Sequence, residues 1–205
     1  MVIQLENISK RYGFEWIFKQ VNFQFEHGGK YAIIGANGSG KSTLLKIISG
    51  GLLPTSGKVH YSLQHKRVTY SADVAPLIAY AAPYIQLIED FTLGEMYDFH
   101  ASFKKMVVPD KSAFLEVAQL TQHRKKYIKN FSSGMRQRVK LALAFTTQSD
   151  VLLLDEPTSN FDTKAIDWYQ QLIQQYTQDR LLIIGSNQSY EFDCCSEFLP
   201  VEQFK

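Results

Sequence analysis

The spacing of apolar and polar positions changes several times along the chain, and each change predicts an element. Ile3 and Leu5 alternate with Gln4 and Glu6. Val21, Phe23 and Phe25 alternate with Asn22, Gln24 and Glu26. A period of two turns every second side chain towards a core, so both stretches read as strands, an antiparallel pair ahead of residue 30. Tyr31-Ala32-Ile33-Ile34 is apolar throughout and reads as a buried strand. Thr43-Leu44-Leu45-Lys46-Ile47-Ile48 has helical spacing and stops at Gly50-Gly51. Residues 58–63 and 67–72 predict further strands, after the turn cluster Leu53-Pro54-Thr55-Ser56-Gly57.

Beyond Thr92 the pattern becomes helical. Thr92-Leu93-Gly94-Glu95 has the form of a capping box, with Leu93, Met96, Tyr97 and Phe103 on the expected apolar side. Pro109-Asp110 ends that helix and starts another with Phe114, Leu115, Ala118 and Leu120 inward. Phe131-Ser132-Ser133-Gly134-Met135 opens a third helical stretch running to about Thr147, with Ser132 or Ser133 as the N-cap. Val151-Leu152-Leu153-Leu154 is a fully apolar strand leading into Asp155-Glu156-Pro157-Thr158. Asp162 caps a helix with Ile166, Tyr169, Leu172, Ile173 and Tyr176 on one face. Residues 181–184 form another apolar strand closing at Gly185-Ser186-Asn187, and residues 198–201 could add a last short one. Apolar strands alternating with helices predict an α/β fold with a mainly parallel, doubly covered sheet.

Composition narrows the class. The 205 residues suit one domain, and 45% hydrophobic content suffices for a substantial core. A net charge of +2 gives no global field towards nucleic acid or a membrane, and no nucleic-acid partner is expected. The basic run Arg124, Lys125, Lys126 and Lys129 reads as a solvated face. No apolar stretch approaches the roughly 20 residues of a spanning helix, and the N-terminus lacks a signal-peptide pattern. The two cysteines, Cys194 and Cys195, are adjacent, which suits bystander thiols in a reduced cytosol.

The chemistry concentrates at residues 35–42, Gly-Ala-Asn-Gly-Ser-Gly-Lys-Ser. Gly35, Gly40, Lys41 and Ser42 match the spacing of a phosphate-binding P-loop, and a strand before and a helix after supply the required context. Loop amides and the helix dipole favour an anion there. Gly38 and Gly40 allow a tight turn and close approach. Lys41 suits the β- and γ-phosphates, and Ser42 Oγ suits Mg²⁺. Nucleotide binding follows. Beside such a loop, two acids ending a buried strand gain a use: Asp155 for the Mg²⁺ shell, directly or through water, and Glu156 to orient or deprotonate an attacking water.

Taken together, residues 35–42, residues 131–134 and the run Asp155-Glu156-Pro157-Thr158-Ser159-Asn160-Phe161-Asp162 resemble the Walker A, signature and Walker B/D-loop segments of ABC transporter ATP-binding subunits. The segments occur in that family's order and spacing over essentially the whole chain. The resemblance implies one ATP-binding domain over residues 1–205: a P-loop NTPase core, an N-terminal antiparallel β-subdomain and a helical subdomain inserted at about 88–134, in three layers. It implies ATP held by Tyr12, stacked on adenine, and by Gly35, Asn37, Gly38, Ser39, Gly40, Lys41, Ser42 and Thr43, with Mg²⁺ at Ser42 and Asp155. Ser132 and Gly134 of a second copy would meet the γ-phosphate in trans, the dimer being a homodimer or a pairing with a related subunit. Residues 159–162 would lie along the seam.

Three positions depart from the family pattern. The signature, usually Leu-Ser-Gly-Gly-Gln, reads Phe131-Ser132-Ser133-Gly134-Met135 and keeps the two phosphate-facing positions. Tyr84 aligns with a glutamine that senses Mg²⁺ and links to the membrane partner, while Gln86 lies two residues on; either could take that part. Asn187 replaces the switch histidine in Ser186-Asn187-Gln188. A neutral amide can bond a phosphate oxygen but cannot become cationic or shuttle a proton. It is either a slower catalytic partner to Glu156 or a tolerated substitute. The resemblance thus implies an ATPase subunit at the cytoplasmic face of a membrane, docked through its helical subdomain on separate spanning subunits and carrying no appended regulatory domain. A dimerisation switch with little hydrolysis, or a soluble ABC ATPase outside transport, are the alternatives.

Overall fold

The computed structural model describes residues 1–64, 66–68 and 71–205. The chain forms two compact units. One comprises Met1–Tyr80, Ser149–Glu156 and Thr177–Lys205; the other comprises Ala81–Gln148 and Pro157–Tyr176.

The first unit holds two sheets. Strands β1 (Val2–Tyr12) and β2 (Glu15–Phe25) pair antiparallel, and the sheet continues through β4 (Ser56–Leu63) to β5 (Lys66–Val68) in the order β2-β1-β4-β5. The predicted alternation is realised: Ile3, Leu5, Val21 and Phe25 are buried, and Phe23 packs partly buried against them. The strand expected over residues 67–72 is corrected. The described strand is Lys66–Val68, residues 69 and 70 lie outside the described residues, and Ser71–Val74 is a turn of helix, α2, so the expectation fails at residues 71 and 72. Ala72 and Asp73 are poor strand formers, and this local preference prevails over a short alternation.

The second sheet has the order β6-β7-β8-β3-β9, from β3 (Lys30–Ile34), β6 (Ile78–Ala81), β7 (Val151–Asp155), β8 (Leu181–Ser186) and β9 (Glu197–Pro200). The β7–β8, β8–β3 and β3–β9 pairs are parallel. Every residue of β7 and β8 is buried, as expected of strands covered on both faces. Helix α1 (Lys41–Ile48) contributes Leu44, Leu45, Ile47 and Ile48 to one core with Ile3, Phe25, Ile33, Leu153 and Ile183, which joins the two sheets.

The second unit is helical: α3 (Leu93–Phe103), α4 (Lys111–Val117), α5 (Ser133–Thr146) and α6 (Thr163–Tyr176). The capping box forms as spaced: Glu95 N donates to Thr92 Oγ1 at 3.2 Å, and Thr92 N donates to Glu95 Oε2 at 2.7 Å. Those bonds lower the Glu95 pKa by favouring its anion. Leu93, Met96 and Tyr97 are buried, but Phe103 is 75% exposed, against expectation. The last turn of α3 runs beyond its packed face, and Phe103 stacks edge-on against Phe99 instead, with ring centroids 5.2 Å apart. Trp168 Nε1 of α6 donates to the Val117 carbonyl at 2.8 Å, and the Arg138 guanidinium of α5 lies 4.7 Å above its ring. Among the described residues, no helix is long and apolar enough to cross a membrane.

Candidate nucleotide site

Parallel pairing fixes which residues meet. Register sets Asp155 beside Gly185, Ile34 beside Ser186 and Ile34 beside Pro200. The carboxyl ends of β7, β8, β3 and β9 therefore share one edge. Asp155 and Glu156, Ser186 and Asn187, and the loop of residues 35–40 all leave the sheet there. Such an edge is where open α/β sheets bind ligands.

The loop itself is built for an anion. Gly35, Gly38 and Gly40 adopt φ values of 153°, 78° and 109°. Gly40 admits no side chain: a Cβ there would lie 2.6 Å from Ile17 Cγ2 and 3.1 Å from Phe18 Cδ1 of β2. Gly40 is also the N-cap of α1, with no side-chain cap bond. Thr92, Asp110, Ser132 and Asp162, by contrast, each present a side-chain oxygen that accepts a first-turn amide of α3, α4, α5 and α6. Of these helices, only α1 keeps its leading amides free of a side-chain cap, as a phosphate requires.

Lys41 sharpens the point. It is 4% exposed, and its Nζ donates to the carbonyls of Gly35 at 2.9 Å and Ala36 at 3.1 Å. An ammonium buried at the positive end of a helix is costly, and neutral carbonyls compensate it only partly. Ser39 Oγ is buried with no hydrogen-bond partner among the described residues. Both features are relieved by an oxyanion.

Asn187 reaches this loop: its Nδ2 donates to Asn37 Oδ1 at 3.1 Å. The turn carrying it is braced by buried Glu191, whose carboxylate accepts from Ser186 Oγ, while Gln188 N donates to the same Oγ at 2.9 Å. Asp155 is 1% exposed, and its Oδ1 lies where a Cβ on Gly185 would come within 3.3 Å. Glu156 takes a left-handed φ of 42°, and its amide donates to the Gly185 carbonyl at 2.9 Å. That conformation is uncommon for a non-glycine residue and turns the chain sharply after β7. A serine hydroxyl on α1 and a carboxylate at the end of β7 are hard oxygen donors of the kind that suit Mg²⁺. Tyr12 ends β1, is 52% exposed and carries Lys10 Nζ 5.1 Å from its ring centre. Thr43 lies in the first turn of α1.

In the helical unit, Ser132 Oγ accepts from Met135 N at 3.2 Å, so Ser132, rather than Ser133, is the N-cap of α5. Gly134 lies in the first turn, where an added Cβ would sit 3.4 Å from the Asn160 carbonyl. Gln137 is buried, with its amide nitrogen donating to the Pro157 carbonyl at 2.9 Å, which ties α5 to the chain just after Glu156. A cleft of about 510 Å³ in this unit is lined by Ile85, Gln86, Glu89, Arg136 and Lys140. Arg136 pairs with Glu89 at 3.1 Å, and burial together with nearby Arg136 lowers the Lys140 pKa. Gln86 faces this cleft; Tyr84 is 43% exposed. The three remaining basic residues of the run, Arg124, Lys125 and Lys126, stay exposed or half-buried, and Lys129 pairs with Asp90. Two contacts of the nucleotide edge had no signal in the sequence: the Asn37–Asn187 bond and a bond from the Ala36 amide to Glu202.

A P-loop strand–loop–helix on such a sheet, with a helical unit inserted in the chain, defines an ATP-binding cassette. The family profile described as "ABC transporter" matches residues 18–159, and the chain belongs to that family. "Uncharacterized ABC transporter ATP-binding protein YcbN" of Bacillus subtilis is 31% identical over 205 residues, covering 98% of this chain and 66% of its own length. "Sulfate/thiosulfate import ATP-binding protein CysA" of Thermosynechococcus vestitus is 35% identical over 184 residues, covering 80% of this chain and 50% of its own. The chain thus spans between half and about two thirds of these relatives. Among solved structures, "Dimeric Structure of MJ0796, a Bacterial ABC Transporter Cassette" superposes with a TM-score of 0.82 at 22% identity, covering 98% of this chain and 95% of that one. A putative ABC transporter ATP-binding protein from Pyrococcus furiosus gives 0.82 at 21% identity, with full coverage of both. At these identities the superpositions establish the fold.

Proposed function

We propose that the chain is the ATP-hydrolysing subunit of an ABC transporter, one ATP-binding domain over residues 1–205. It works as a head-to-tail dimer on separate membrane-spanning subunits at the cytoplasmic face. The observation that carries the reading is Lys41, a buried cation at the uncapped start of α1.

On binding, Lys41 exchanges its two carbonyls for the β- and γ-phosphates, and the amides from Gly38 to Thr43 cradle them. Asn37 flanks the loop, Ser39 offers its hydroxyl, and Tyr12 stacks on adenine. Ser42 Oγ and Asp155 would hold Mg²⁺, which would supply positive charge to offset that of the phosphates. Glu156 accepts a proton from water as the water oxygen attacks the γ-phosphorus. The bond to the bridging oxygen breaks, and ADP and phosphate result. Asn187 bonds a γ-phosphate oxygen without supplying positive charge, so turnover is slow. Across the dimer, the Ser132 hydroxyl keeps accepting from Met135 N and donates to the γ-phosphate, beside the Gly134 amide. Loss of that phosphate weakens the closed dimer. The cleft beside Gln86 and Tyr84 receives the membrane subunit.

Phosphate release by the wild type against Glu156→Gln tests this. The variant should lose about a hundredfold or more in rate while still binding Mg-ATP. Equal rates would contradict the reading.

A further inference from the structure

The Ala36 amide lies at the entry of the phosphate loop, and it is held by a residue far away in sequence. Ala36 N donates to Glu202 Oε1 at 2.8 Å. The pairing has a simple origin. β3 and β9 run parallel with Ile34 beside Pro200, and continuing that register by two residues sets Ala36 beside position 202. There the backbone leaves the ladder, because Val201–Phe204 winds into a 3-10 turn. The Ala36 amide loses its strand partner, and the Glu202 side chain supplies an oxygen in place of a backbone carbonyl. The turn is anchored on both sides of Glu202: Val201 is fully buried and Phe204 packs against the core. The stem of Glu202 lies along Gly35, where an added Cβ would come 3.5 Å from its Cγ.

Ala36 is thereby gripped at both ends. Glu202 holds its amide, while Lys41 Nζ and the Ser39 amide hold its carbonyl, the latter at 3.1 Å. When Lys41 turns to phosphate, the carbonyl keeps only the Ser39 amide, and the Glu202 bond carries more of the hold on the loop's entry. The same side chain carries a negative charge beside a loop that receives a polyanion. We propose that Glu202 is a positioning residue of the nucleotide site with two opposed effects: its oxygen steadies the loop's first peptide, which favours binding, and its charge repels the phosphates, which weakens it. The inference rests on the nucleotide-site reading above and adds a limit on nucleotide affinity set from the last turn of the fold.

Two variants separate the effects. Glu202→Gln keeps an acceptor and removes the charge; Glu202→Ala removes both. Binding of Mg-ATP to the full chain is measured by calorimetry for both variants and the wild type, with circular dichroism confirming that each is folded. At about 0.05 M salt, E202Q should bind about threefold tighter than wild type, and the gain should vanish at about 0.5 M salt, where charges are screened. E202A should bind about three- to tenfold weaker than E202Q at either salt, for want of the hydrogen bond. An acid with no influence on the site would show no gain from E202Q at either salt. If E202Q matches wild type at low salt, or if E202A matches E202Q, the proposal is overturned. If the wild type binds no nucleotide, the site reading itself fails.

Discussion

Helices α1 and α5 both begin at motifs that point to phosphate, yet they are finished in opposite ways. α1 starts at Gly40 with no side-chain cap and a buried lysine in its first turn; α5 starts at Ser132, whose hydroxyl accepts its own helix's Met135 amide. An unfinished helix end is unstable by itself and favours a ligand in place of the cap. A finished one is stable alone and has only a hydroxyl proton and a spare amide to offer. On the proposed reading, the first is the primary site, and the second would make an auxiliary contact to a nucleotide bound by another copy.

The largest break in this comparison comes from Lys41→Met. Mg-ATP affinity should fall about a hundredfold or more, followed by titration with a fluorescent nucleotide. Without nucleotide, the variant should melt at the wild-type temperature or above it, because an apolar chain of similar length replaces a poorly compensated buried charge. A clear loss of stability would mean that Lys41 serves the fold and not the ligand.

Substitution at Ser132 sharpens the other side. Aspartate caps as well as serine, so Ser132→Asp should leave the thermal midpoint unchanged, while its charge opposes the γ-phosphate and cuts steady-state hydrolysis about tenfold or more. Ser132→Ala should instead cost about 1 kcal/mol of stability. Full activity in the aspartate variant would remove α5 from the site. The smallest effect belongs to Asn187→His. Restoring an imidazole at the turn that touches Asn37 should raise turnover about tenfold or less in the assembled complex, read as phosphate release. An unchanged rate would make Asn187 an equivalent substitute.

What the sequence disclosed follows from the range of each interaction. The P-loop, the capping box at Thr92 and Glu95, the cap at Asp162, a serine cap at 132 or 133, and the buried strands were readable because each depends on residues a few positions apart. The Asn37–Asn187 and Ala36–Glu202 bonds join positions 150 and 166 residues apart, and only sheet register brings them together. Nothing near Glu202 marks it, since a glutamate in a terminal turn is ordinary. The left-handed Glu156 was hidden because its turn is imposed by the Gly185 carbonyl on the neighbouring strand. Phe103 and residues 71–72 misled because a short apolar pattern outweighed the ends of the elements that carry it.

The central claim is that nucleotide bound at α1 of one copy is completed by α5 of another. Light scattering on Glu156→Gln with saturating Mg-ATP, alongside Mg-ADP, measures this directly. A mass twice that of the chain with ATP and a single-chain mass with ADP is the predicted result. A single-chain mass under both conditions, in the presence of the membrane subunits as well, would contradict it.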